Sequence, residues 1–130
     1  MREILFRGLA SNKKFVYGLY VQNAFDGTSR NVAHGIQSAG CYPVEINSNT
    51  LGQYTGLKDC NGVKIFEGDI IYLTDEIFAV VAWNDGTCSF CALYKDGSKS
   101  DHLYGVSMAK VIGNIHQNPE LLEHTNANHN

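Results

Sequence analysis

The sequence predicts a mainly β fold, and three observations carry that expectation. The 130 residues hold thirteen Gly and only two Pro, so turns are many and rigid linkers few. Seven Tyr, six Phe and one Trp suit half-buried pleated strands better than a helical bundle. Short apolar runs recur between turn signals such as Asn61-Gly62, Asp85-Gly86 and Asp96-Gly97. Hydrophobic residues make up 44% and charged residues 18%, which excludes disorder along the whole chain. The length is that of one ordinary domain, able to bury a core without staples.

In chain order, residues 3–7 alternate and read as a short strand. Phe15 to Val21 reads as a second. The polar turn Ala10-Ser11-Asn12-Lys13-Lys14 between them makes an amino-terminal hairpin. Residues 23–40, rich in Gly, Ser, Asn and Ala, read as a long loop or extended arm. Cys41 to Ile46 reads as an edge strand, where Pro43 is tolerated.

The second half is clearer. Asp59-Cys60-Asn61-Gly62 is a turn, followed by Lys64-Ile65-Phe66, a bend at Glu67-Gly68-Asp69 and the strand Ile70 to Leu73. Ile77 to Trp83 is a strand, and Thr87 to Tyr94 pairs back through Asn84-Asp85-Gly86, with Asp-Gly supplying the positive φ. A turn at 95–98 leads to Tyr104-Gly105-Val106 and to Lys110 to His116. Five or six short strands with regular turns predict a small, strongly bent sheet resembling an SH3-like β-barrel. Asn118 as N-cap and Pro119 behind it open a short C-terminal helical turn. Thr125 to Asn130 reads as a frayed tail. One domain is expected: hairpin and loop region 1–57, small barrel 58–117, helical turn and tail 118–130.

Net charge is −3 and the pI about 5.9, without a Lys/Arg cluster, which disfavours nucleic acid as partner. The charge is uneven. Residues 1–30 carry Arg2, Arg7, Lys13, Lys14 and Arg30 against Glu3 and Asp26. Residues 61–90 carry Lys64 against Glu67, Asp69, Asp75, Glu76 and Asp85. Complementary segments of this kind suit self-association into a homo-oligomer, or a merely polar surface. No apolar run is long enough for a membrane span, and the start lacks a signal-peptide core. The expectation is a cytoplasmic protein with its four Cys reduced.

Met1-Arg2-Glu3-Ile4 with Phe6-Arg7-Gly8, then Val16-Tyr17-Gly18, resembles the start of the YopX protein family. Leu51 to Asp59, continuing through Asn61-Gly62 and Glu67-Gly68-Asp69-Ile70, resembles its central signature. Val111-Ile112-Gly113-Asn114-Ile115 with Asn118-Pro119-Glu120-Leu121-Leu122 resembles its ending. Cys60 stands where that pattern carries a charged or polar residue. Residues 23–46 and 84–109 carry little resemblance and are where features particular to this chain are expected. The resemblance implies a phage or prophage origin, a bacterial host cytoplasm and homo-oligomer assembly. A looser similarity, in general character and in no single motif, runs to phage Thoeris anti-defence proteins. Those are small β-rich oligomers that sequester nucleotide immune signals without cleaving them.

An enzyme is the least supported class. Cys88-Ser89-Phe90-Cys91 has C-x-x-C spacing, but zinc needs two more ligands, and Cys41, Cys60, His102 and His116 are scattered singly. On a strand, Cys88 and Cys91 face opposite sides, so no metal and no redox pair is expected. Glu67 and Asp69 read as a turn entering a strand rather than an acid/base pair. His34, His102, His116, His124 and His129 stand in no nucleophile motif, and no phosphate-loop signature occurs. No cofactor is expected.

A binding site is better supported. A nucleotide needs a ring for its base and cations for its phosphate. Tyr54 and Lys58, within Gln53 to Lys58, offer both, with Gly56 for close approach. Tyr54 could equally plug the core. Arg7 is a second candidate phosphate contact, or a partner for Glu67 or Asp69. Trp83, before a turn, could stack on a base or cap the sheet. The functional expectation is a non-enzymatic protein that sequesters a small nucleotide immune signal, contacting it through Arg7, Tyr54, Lys58 and Trp83. The alternative is an oligomeric small-barrel module that binds a protein.

Overall fold

The computed structural model describes residues 2–73, 77–100, 103 and 109–122. The fold is mainly β, and its contacts divide the chain into two compact units, Met1–Tyr54 and Thr55–Asn130.

The first unit holds β1 (Phe6–Leu9), β2 (Phe15–Phe25), β3 (Asn31–Gln37), β4 (Val44–Glu45) and the start of β5 (Gly52–Lys58). They lie in the order β4-β3-β2-β1-β5, each neighbouring pair antiparallel. The β1–β2 hairpin matches the sequence reading, with its first strand at Phe6–Leu9 rather than 3–7, and β4 is the edge strand that follows Pro43. The stretch 23–40 corrects it. β2 continues to Phe25 and β3 pairs with it from Leu19↔Gln37 to Phe25↔Asn31. Gly35 there serves close approach rather than looseness. A Cβ on Gly35 would stand 3.1 Å from the Val44 carbonyl oxygen. Asn23 takes φ +52 inside the strand, a value Asn tolerates better than most residues.

Alternation along these strands builds the unit's core. Val32 and Ile36 fall on one face of β3 and are almost fully buried. Ile46 covers that face and packs directly onto the bare backbone of Gly8. Thr50 ties this cover to β1, accepting from Leu9 N at 2.8 Å and donating to Asn47 O at 2.5 Å.

The second unit holds the end of β5, β6 (Lys64–Phe66), β7 (Asp69–Tyr72), β8 (Phe78–Asn84), β9 (Ser89–Tyr94) and β10 (Lys110–Asn114). β5 and β6 are neighbours, and the other four run antiparallel in the order β10-β7-β8-β9. Ile65, Ile71, Ala79, Val81, Ala92 and Ala109 form its core. Asp75-Glu76, Tyr104-Gly105-Val106 and the tail from 123 lie outside the described residues.

Three hairpin turns share one closure. Ala10, Asp59 and Tyr94 each accept at the carbonyl from the N–H three residues on, and each donates to the carbonyl four on. The fourth residue of each turn is left-handed: Lys13 at φ +67, Gly62 at +81 and Gly97 at +89. The 85–88 turn is longer than the sequence suggested. Its left-handed residue is Cys88 at φ +51, not Gly86, because Asn84 Oδ1 accepts Gly86 N at 2.9 Å and four residues separate the paired Asn84 and Ser89. Cys88 is therefore an exposed turn residue ahead of β9, whereas Cys91 is buried within it.

A single helical turn covers residues 120–122. Asn118 does not cap it with its side chain. Its Oδ1 accepts from Asn114 N at 3.2 Å, while its backbone carbonyl accepts from Leu121 N. No helix among the described residues is long and apolar enough to cross a membrane.

Candidate functional site

The four residues singled out by sequence fall into two pairs. Arg7 and Tyr54 belong to the first unit, and Lys58 and Trp83 to the second. Arg7 sits opposite Gly52 in the β1–β5 ladder, which puts its side chain on the same sheet face as Tyr54. Both are buried, at 5% and 6% exposure. The Arg7 guanidinium lies 4.3 Å from the centre of the Phe15 ring, so that ring covers the cation. Tyr54 N donates to Leu5 O at 2.8 Å. Lys58 ends β5 and is exposed. Trp83 is 44% exposed and packs edge-on against Phe90 at 5.1 Å.

Asp69 opens β7 directly after the turn at Gly68, as the sequence suggested. It is buried and its Oδ2 accepts Phe66 N at 2.7 Å, closing the bend at Gly68. Among the described residues, no three His, Cys, Asp or Glu side chains gather as a metal centre requires.

The first unit also carries a cleft of about 490 Å³, within the usual range of small-ligand sites. None of the four residues above lines it. Leu9 and Ile46, both buried, give it an apolar base. Lys13, from the β1–β2 turn, and Arg30, from the β2–β3 loop, bring two exposed cations to it. Glu45 Oε1 holds Arg30 Nη2 at 3.0 Å, with the Arg30 and Glu45 side chains 71% and 56% exposed. An ion pair so open to water is worth at most about 1 kcal/mol, so a stronger anion can take over the guanidinium.

The backbone at Lys13 sets this cleft apart. The other two turns of the same closure place glycine at the left-handed position, where a side chain is strained by roughly 1 kcal/mol. Here a lysine occupies it and lines the cleft. Strained backbone held by its surroundings is a recurrent mark of ligand sites. The sequence signal was present in Ser11-Asn12-Lys13-Lys14, where the tight turn lacks glycine. Its pairing with Arg30 depends on the β2–β3 hairpin, which the composition of 23–40 concealed.

The model of the YopX protein family matches residues 5–123 of the chain. No curated protein matches it. Among solved structures, the crystal structure of protein EF1440 from Enterococcus faecalis is similar, with a TM-score of 0.55 at 30% identity. That match covers 94% of this chain and 99% of the other. The chain belongs to the YopX protein family.

Proposed function

We propose that this protein acts by binding rather than by catalysis, and that it holds a small anionic ligand of the nucleotide class in the Lys13–Arg30 cleft. The observation that carries the reading is two cations beside an apolar base, one of them kept on a strained turn. The setting it fits is phage counter-defence in the host cytoplasm, where a captured immune signal is withheld intact by an oligomer. Lys13 and Arg30 take the phosphate role first assigned to Arg7 and Lys58.

Sequestration requires a Kd around or below about a micromolar, on the order of 8 kcal/mol. Two charge-assisted phosphate contacts at roughly 1.5–3 kcal/mol each supply a large part of that. The test is calorimetry across cyclic nucleotides and ADP-ribose derivatives, followed by heat denaturation and recovery of the ligand. The reading expects saturable heat and an unchanged ligand. No heat from folded protein, or a cleaved ligand, overturns it.

A second reading, a protein-interaction module, is favoured by one observation. Tyr17 and Leu19 lie on one face of β2 and stay 46% and 58% exposed. It takes over if the calorimetric panel is silent.

A further inference from the structure

The loop that brings Arg30 to the cleft packs beside two exposed rings that no core absorbs. Phe25, the last residue of β2, is 56% exposed, and Tyr42, ahead of β4, is 63% exposed. Their centroids lie 6.0 Å apart with the rings perpendicular.

These rings are held in place rather than left to wander. Gly27 stands at φ +92, and a Cβ there would come within 2.7 Å of the Tyr42 ring. The bare backbone of the loop is thus packed against Tyr42. Asp26 fixes that loop, its Oδ1 accepting from Thr28 N at 2.8 Å, Thr28 Oγ1 at 2.6 Å and Arg30 N at 3.3 Å. The hydrogen bonds to Thr28 and Arg30 also hold the Asp26 carboxyl below its usual pKa. Arg30, closing the loop, reaches Glu45, three residues beyond Tyr42. The ring pair and Arg30 are therefore tied through one loop of the first unit.

We propose that Phe25 and Tyr42 form a stacking platform for the flat heterocycle of the ligand whose phosphate is held by Lys13 and Arg30. This rests on the anionic-ligand reading above and specifies its other half, a nucleobase. Stacking on an exposed ring suits any base, because every base presents a π-face. Arg30, whose exposed ion pair to Glu45 a phosphate can displace, closes the loop that follows Phe25, and this cation favours an anionic heterocycle over a purely apolar partner.

The experiment titrates the full chain with ADP-ribose, cyclic AMP and inorganic pyrophosphate. Phe25→Ala and Tyr42→Ala should each weaken the tighter-bound nucleotide at least tenfold and leave pyrophosphate within twofold. Tyr42→Phe should retain the nucleotide. Unchanged nucleotide affinity in both alanine variants overturns the platform, as does an equal loss for pyrophosphate. A ring variant that changes the mass in light scattering while nucleotide affinity holds also overturns it, assigning the rings to a second copy. Wild type that binds none of the three probes overturns the anionic-ligand reading itself, which separates the two failures.

Discussion

Val111 donates its backbone N–H to Asp59 Oδ2 at 3.0 Å, joining β10 to a turn 52 residues earlier in the chain. The other carboxylate oxygen of Asp59 accepts Asn61 N at 2.8 Å and Val63 N at 2.9 Å. Burial alone pushes this carboxyl up. The three amides, with Lys110 adding attraction, outweigh it and hold the pKa below the ordinary carboxylate value. A depressed folded pKa gives stability that is present above the unfolded value and lost as pH falls through the folded one. Thermal melts between neutral pH and pH 3 should therefore show a loss in wild type that Asp59→Asn lacks. Asp59→Ala strands three amides and should lower stability by about 3 kcal/mol in denaturant unfolding. Parallel pH profiles for wild type and the Asp59→Asn variant would refute this role.

Gly113 is a second fixed point of the same region. It lies at a register shift between β10 and β7, and a Cβ there would stand 2.7 Å from Asn118 Oδ1 and 2.9 Å from Leu121 Cδ1. Gly113→Ala must displace the side chain that accepts Asn114 N. A loss of roughly 1–3 kcal/mol is expected in urea unfolding. Full stability in the variant would mean that the 118–121 segment gives way freely.

Lys13→Gly separates folding from binding. Glycine relieves the left-handed strain but adds freedom to the unfolded chain, so stability should rise by at most about 0.6 kcal/mol. Nucleotide affinity should fall about tenfold in the same protein. A variant that is more stable and binds as before would remove Lys13 from the site.

The second unit was the more legible half of the sequence. Its turns carry Asn61-Gly62, Gly68 and Gly97, and each of these glycines takes the positive φ the turn needs. β8 alternates plainly, burying Ala79 and Val81, whereas β7 buries the adjacent Ile70 and Ile71. The stretches resembling the family are largely this turn chemistry: Asp59, Asp69 and Asn114 all spend their side chains on backbone amides. The first unit was harder to read. Gly8 and Gly35 mark close approach inside strands, and two of its left-handed positions carry Lys13 and Asn23 rather than glycine. Arg7 and Tyr54 showed their residue type but not their burial, which the β1–β5 pairing decides. The cleft could not be seen at all, because Lys13 and Arg30 meet only through that fold.

Arg30→Ala tests the central claim most directly. It removes only an exposed ion pair, so its melting temperature should match wild type within a degree or two. Calorimetric titration of both proteins with ADP-ribose and cyclic AMP should give a wild-type Kd near or below about a micromolar for at least one of them, and a roughly tenfold weaker value for the variant. Equal affinity in two equally stable proteins, or no heat from folded wild type, would contradict a nucleotide held at the Lys13–Arg30 cleft.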